Sequence, residues 1–479
     1  MLRFILLLTC LYVSFNKVAH AQSSVPNQQD IINTAQDIAS QYHQLGWFSG
    51  SILITKDNNE VFSAAYGYQN MNQAIPNSIQ TRFNLGSIMK DFTKVLILQQ
   101  VELGKLSLED KLSQFDLGFQ QDDAQHITIQ HLLDHRSGLR DIFVAEYRQN
   151  PMVFDTLEKK LALLIDHPLL FVPGTERNYS NYGYVVLGII LEKVSGKPFG
   201  RLLQENIFDR AKMSSTTLTP IHDHQHQSTR YTYLYDSSLQ YVGVNEHPGP
   251  DGGLESNVTD LHKFYRALFY SNTLLTNTLA LNRQSFAMDG PHWGSYGGGR
   301  GISSAVEVDL TMGYQVVVLA NSDNLIAERI SGRILSFIKT GKYAPVRQLE
   351  KNFAYDFYQN QGRVKFKNQF QKAYKDNGYD RFIGRTLNEL GMELLKTQSW
   401  DSAFDVFEYL VSLFPKAPQV YDSLAFAYLS KGDTEKAKRT FTKSLALKAD
   451  FNSDYVKNNY GHRPLDKPGT ENTFDVSGQ

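Results

Sequence analysis

From Gly384 onward the chain repeats itself with a period of 34 residues. Leu387, Leu390, Gly391, Leu394, Ala403, Phe407 and Pro415 return as Tyr421, Leu424, Ala425, Tyr428, Ala437 and Phe441, with Ala449 where the proline stood. Self-similarity at this spacing restricts the segment to stacked helix–turn–helix units, because each unit can bury its apolar face only against a neighbour. Small residues at 391, 403, 425 and 437 permit close helix crossings, and aromatics at 407, 421, 428 and 441 fill the space between them. Two units are few, since a free-standing array needs about three. The segment is therefore expected to borrow stability from residues 344–380 or from the main domain.

The remainder of the 479 residues leaves room for a large additional domain. Apolar residues make up 42% and charged residues 20%, and the net charge is −1. That balance fits a folded soluble protein and gives no support for nucleic-acid or anionic-membrane binding. Arg3, the apolar run Phe4 to Val13 and the small-x-small step Ala19-His20-Ala21 read as a secretory signal over residues 1–21. The apolar run is shorter than the roughly 20 residues a membrane span requires. The one cysteine, Cys10, lies inside that signal, so the mature chain has no disulfide and no thiolate ligand. Export without disulfides points to a bacterial periplasm. The expected division is 1–21 signal, 22–343 main domain, 344–383 linker or packing segment, 384–451 repeats and 452–479 disordered tail.

Within the main domain, Ile31, Ile32, Ala35, Ile38, Ala39 and Tyr42 form one stripe of a helix. Ser51–Ile54, the polar turn Asp57-Asn58-Asn59-Glu60 and Val61–Ala65 read as a hairpin. Late strands are expected at Ile302–Val308 and Tyr314–Ala320. Joined to the hairpin they would make one antiparallel sheet closing both ends of the domain, with helices on its faces. Helices are expected from Tyr182 to Val194, with Asn181 as a cap, and after Asp251-Gly252-Gly253, with Thr259 or Asp260 as a cap. The double glycine signals close backbone approach.

Chemistry concentrates at Phe83-Asn84-Leu85-Gly86-Ser87-Ile88-Met89-Lys90. Ser87 and Lys90 stand three residues apart at the start of an apolar helical pattern, so they share a face. A serine hydroxyl is a poor nucleophile until a neighbour removes its proton, and an amine can do so. His131 and His135 have ligand spacing but no intervening glutamate, and they read as packing residues. His222-Asp223-His224-Gln225-His226 reads as a loop. Neither a metal nor any other cofactor is expected.

Ser87-x-x-Lys90 occurs with His131-Leu132-Leu133-Asp134-His135-Arg136-Ser137-Gly138-Leu139, with Pro173-Gly174 upstream of Tyr179-Ser180-Asn181, and with Gly252-Gly253-Leu254-Glu255-Ser256. In that order these stretches resemble the serine β-lactamase superfamily over roughly residues 30–340. The likeness is to its class C and low-molecular-weight penicillin-binding-protein branch. The repeat segment resembles tetratricopeptide repeats. The resemblance implies an α+β, α-β sandwich fold, an antiparallel sheet flanked by helices plus an all-helical domain, followed by the all-α repeats.

The resemblance also implies roles. Ser87 attacks a carbonyl, Lys90 helps remove its proton, Tyr179 relays protons, Asn181 orients the lysine or the substrate amide, and an acyl-enzyme forms. The oxyanion is expected between the Ser87 N–H and the edge strand beyond the glycine run. The third family motif departs from its Lys-Thr-Gly or His-x-Gly pattern. Aligned on Gly301, Ser295 takes the basic position, or Tyr296 after a one-residue gap. Gly297 and Gly298 come next, and Arg300 is a nearby cation. Two readings stay open. One is a serine hydrolase acting on a small ester, amide or peptide. The other is a catalytically reduced binding protein whose repeats recruit a protein or peptide.

Overall fold

The computed structural model describes residues 26–218, 226–243, 246–276, 290–451 and 453. The signal, His222–Gln225 of the histidine tract and the tail beyond 453 lie outside the described residues. Helix α1 (Gln28–Gln44) opens the fold and leads into the hairpin β1 (Gly50–Lys56) and β2 (Asn59–Tyr66). Helix α2 (Met89–Glu102) carries the Ser87 stretch at its head, α3 is Asn181–Ser195, and a small hairpin, β3 (Arg230–Tyr233) and β4 (Leu239–Val242), precedes α4 (Val258–Phe269). The main domain ends with β5 (His292–Gly299), β6 (Ile302–Asp309), β7 (Tyr314–Ala320) and α5 (Ile326–Thr340).

The expected sheet is present. Its five strands run in the order β2-β1-β7-β6-β5, all pairs antiparallel, with Leu53 opposite Val317 and Ser304 opposite Gly297. Alternation sorts its side chains onto two faces. Ile52, Ile54, Val316 and Val318 pack with α1 and α5, whereas Leu53, Val306, Val317 and Leu319 join the larger core built with α2, α3 and α4. Every residue of α2 from Met89 to Gln100 is buried. An all-buried helix needs no amphipathic pattern, and this one lies in the middle of the helical layer, beside the sheet edge β5.

Two caps differ from the sequence expectation. Ser180, not Asn181, caps α3, its hydroxyl accepting from the Gly183 N–H at 3.1 Å. Asn257, not Thr259 or Asp260, caps α4 by accepting from the Asp260 N–H at 2.8 Å. In both cases the true cap sits immediately before the helix, where its side chain reaches the third amide.

Residues 350–376 form a long helix, α6 (Glu350–Asp376), broken at Gly362, where φ is +75°. Phe366, Phe370 and Tyr374 on its second half are buried in the core of a helical bundle. The bundle continues with four helices of equal length: α7 (Ile383–Lys396), α8 (Trp400–Leu413), α9 (Pro418–Lys431) and α10 (Thr434–Leu447). Leu387, Leu390, Ala403, Phe407, Ala425, Ala437 and Phe441 are all buried. The bundle is joined to the main domain through the β3–β4 hairpin. Tyr235 lies in its core, with its hydroxyl 2.9 Å from Thr397 Oγ1. Asn352 Nδ2 donates to the carbonyls of Leu234 (2.9 Å) and Tyr235 (3.0 Å). Among the described residues no helix is long and apolar enough to cross a membrane.

Candidate active site

Phe83–Asn84 pairs with Glu255–Ser256, and the chain then turns through Gly86–Ile88 in a single 3-10 turn that runs straight into α2. Gly86 has φ +51°, and a Cβ there would lie 3.0 Å from the Gly298 nitrogen, so the turn sits directly on β5. Ser87 is thereby presented at the head of the buried helix, partly exposed.

Tyr179 OH lies 2.8 Å and Lys90 Nζ 3.3 Å from Ser87 Oγ. Lys90 Nζ also donates to Asn181 Oδ1 at 2.7 Å and to the Asp251 carbonyl. An ammonium has three N–H donors, and all three are directed at named acceptors, which fixes the amine beside the hydroxyl. Its Nζ lies 5.0 Å from the Tyr179 ring centroid and 5.5 Å from that of Tyr184. The four residues singled out from sequence, Ser87, Lys90, Tyr179 and Asn181, thus meet at one point. Tyr179 is 42% exposed, so the cluster is reachable from solvent.

Residues that sequence reasoning missed hold this cluster in place. Asp141 accepts from Asn181 Nδ2 at 3.0 and 3.2 Å and from its backbone N–H at 3.0 Å, which turns the Asn181 carbonyl oxygen toward Lys90. Asp141 lies two residues after Ser137-Gly138-Leu139, so proximity to that stretch was the available signal. The Asp251 carbonyl was foreshadowed only by the double glycine after it. His135 packs on Tyr179 with ring centroids 4.3 Å apart, and its Nδ1 accepts from the Ser180 N–H at 3.2 Å. Burial, with the nearby Lys90 charge adding to it, pushes the His135 pKa down to about 3, so the ring is neutral and can accept. His131 instead completes the cap of the short helix Ile129–Leu133.

The third-motif residues divide. Gly297 is buried against the Ser87 turn, where a Cβ would run into the Leu85 carbonyl oxygen. Gly298 borders Gly86. Ser295 is also buried, but it faces inward, where it favours the charged form of Asp91. The Tyr296 hydroxyl donates to Glu307 Oε1 at 2.9 Å on the opposite face. Arg300 stands exposed on the turn between β5 and β6. Burial raises the Asp91 pKa against the opposing effect of its hydrogen-bond donors, and burial lowers that of Lys94 one helical turn on.

A family model described as Beta-lactamase matches residues 35–338, most of the main domain and more than half of the chain. The chain belongs to the beta-lactamase family. It is 29% identical over 266 residues to penicillin-binding protein 4* of Bacillus subtilis (strain 168), a match covering 51% of this chain and 56% of that protein. It is 28% identical over 201 residues to a beta-lactamase of Providencia stuartii, covering 42% of this chain and 50% of that one. The chain thus spans about half the length of these curated relatives. The solved penicillin-binding protein from Bacillus halodurans is similar over 63% of this chain and 99% of its own, with 27% identity and a TM-score of 0.57. A D-stereospecific amidohydrolase from Streptomyces sp., 22% identical with a TM-score of 0.54, shares the fold. This beta-lactamase-family chain is therefore a member of a catalytic serine-hydrolase superfamily.

Proposed function

We propose that the protein is an exported, periplasmic serine hydrolase that opens an ester or amide through an acyl-enzyme. Its nearest functional branch would be that of class C β-lactamases and low-molecular-weight penicillin-binding proteins, with D-amino-acid or cell-wall peptides as the substrate class. The observation that carries this reading is the Ser87 hydroxyl within hydrogen-bond reach of both Tyr179 OH (2.8 Å) and Lys90 Nζ (3.3 Å). As Ser87 Oγ bonds to the substrate carbonyl carbon, the Lys90–Tyr179 pair, in the form that has given up one of its own protons, takes up the Ser87 proton. Tyr179 returns that proton to the departing oxygen or nitrogen. A water then repeats the sequence on the acyl-enzyme and frees Ser87. The Ser87 N–H and the backbone of β5 at Gly297–Gly298 would hold the oxyanion. The α7–α10 bundle, with its 34-residue spacing, would act as a tetratricopeptide module that holds a protein or peptide segment.

The test is intact mass after treatment with a fluorophosphonate and, separately, a fluorescent penicillin, beside Ser87→Ala. A Ser87-dependent adduct is expected. A folded wild-type sample that forms no adduct with either reagent from pH 6 to 9 would overturn the hydrolase reading in favour of a repeat-directed binding protein.

A further inference from the structure

β5 poses a mechanical problem. Among the described residues it is an edge strand, bonded to β6 on one side only, and four of its eight residues are glycine: Gly294, Gly297, Gly298 and Gly299. Gly297 is required for the close approach to the Leu85 carbonyl, yet glycines leave a strand without side chains to pack and with high backbone freedom. A strand that must present backbone groups to a reacting atom needs to be held from elsewhere.

The remaining side chains of β5 alternate between two buried carboxylates. On one face Trp293 Nε1 donates to Asp91 Oδ2 at 3.2 Å, and the same carboxylate receives the Tyr265 hydroxyl of α4 at 2.7 Å; Ser295 faces this carboxylate and favours its charged form. On the other face the His292 Nε2 lies 2.8 Å from Glu307 Oε2 and the Tyr296 hydroxyl 2.9 Å from Oε1, which the Ser331 hydroxyl of α5 approaches to 3.2 Å. Asp91 is 7% exposed and Glu307 3%. Trp293 uses one anchor, with Ser295 on the same face, and residues 292 and 296 use the other, as the period of two in a strand requires. Asp91 directly succeeds Lys90, so the helical turn that carries the amine also grips the strand. Ser304 ties the same place from β6, its hydroxyl donating to the Leu85 carbonyl at 2.7 Å.

We infer that Asp91 and Glu307 are positioning residues for catalysis, one on each face of β5, which together hold its Gly297–Gly298 backbone at the Ser87 turn. The inference rests on the reading of Ser87 as an acylated nucleophile. Of the two residues that alignment puts in the family's basic position, Ser295 faces the Asp91 anchor and Tyr296 bonds the Glu307 anchor.

The test uses the full mature chain, with p-nitrophenyl butyrate turnover, fluorophosphonate labelling of Ser87, melting temperature and hydrogen exchange of the β5 amides. Asp91→Asn and Glu307→Gln are expected to lower kcat and the labelling rate roughly ten- to a hundredfold, since displacing a reacting group by about 1 Å costs on that order. KM should stay close to wild type, and the amides of residues 292–299 should exchange faster. Tyr265→Phe and Ser331→Ala each remove one donor away from the cleft and should give smaller changes in the same direction, which keeps the test open if the carboxylate variants do not fold. Variants that melt earlier but turn over and label at the wild-type rate would reduce the two carboxylates to a structural role and overturn the inference. If the wild type itself is not labelled, the hydrolase reading fails, and exchange alone decides the anchoring: faster exchange in β5 upholds it, unchanged protection overturns it.

Discussion

Glycine brings two chain segments into contact both at Gly297, beside the nucleophile, and at Gly391, inside the helical bundle, with opposite surroundings. At Gly297 an added Cβ meets the Leu85 carbonyl, a backbone atom, and the next neighbour is polar, the Ser304 hydroxyl that itself donates to that carbonyl. At Gly391 it would meet the Phe407 ring 2.5 Å away, among apolar side chains. Directional hydrogen bonds specify positions closely and fail when one partner is lost, whereas apolar packing tolerates change by repacking at a graded cost. Activity and stability should therefore separate by region.

The sharpest probe of that separation is Ser87→Ala, which should abolish the phosphonate adduct while leaving the melting temperature unchanged. An adduct that persists on another residue would place the chemistry elsewhere. Gly297→Ala should slow Ser87 acylation by about a hundredfold or more, read as the labelling rate. A wild-type rate would mean that β5 and the Ser87 turn are not rigidly apposed. In the bundle, Phe407→Ala should cost about 3–5 kcal/mol in a denaturant melt without changing the labelling rate. A parallel loss of labelling would show the two regions to be one cooperative unit.

Acid should act on the main domain before the bundle. His135 has its pKa depressed from 6.5 to about 3, so between those values the unfolded chain binds a proton that the folded one refuses. Stability is whole above pH 6.5 and falls as the pH drops toward 3, by a few kcal/mol at most. His135→Gln should flatten that slope in pH-dependent melts. The smallest effect is expected at the join. Tyr235→Phe removes the hydroxyl facing Thr397 and should cost about 1 kcal/mol, seen as earlier unfolding of the bundle.

How far the sequence revealed these regions depended on how local their signals are. Ser87 and Lys90 share one helical turn, and Tyr179 and Asn181 lie two apart, so each pair reads as a motif. The sheet was legible because its strands carry uninterrupted apolar runs such as Val316–Leu319. Asp141, Asp251 and Asp91 were not legible as site residues, because their roles arise only when the fold brings them across long separations. The Ser295 environment was hidden for the same reason. The segment 344–383, read only as a linker or packing segment, concealed its helix because Gly362 resets the helical phase: Phe353 and Phe357 keep one register, Phe366 and Phe370 another. The assignment of Asn181 to a cap failed because a capping side chain and a site side chain compete for the same short polar residue, and Ser180 stood one place earlier.

The sheet joins residues 50–66 to residues 292–320, with β1 paired to β7 across about 260 positions of chain. Closing so long a loop is entropically slow, and β1 has no partner but β2 until β7 exists. On a ribosome the first hairpin must therefore wait through the synthesis of the whole helical layer before its inner edge is covered. For that interval Ile52 to Ile54 remain available to other chains. The protein's solubility during biogenesis is accordingly set by how its first strands are shielded before the last ones arrive, and a chaperone's demand should fall on the hairpin rather than on the later helices.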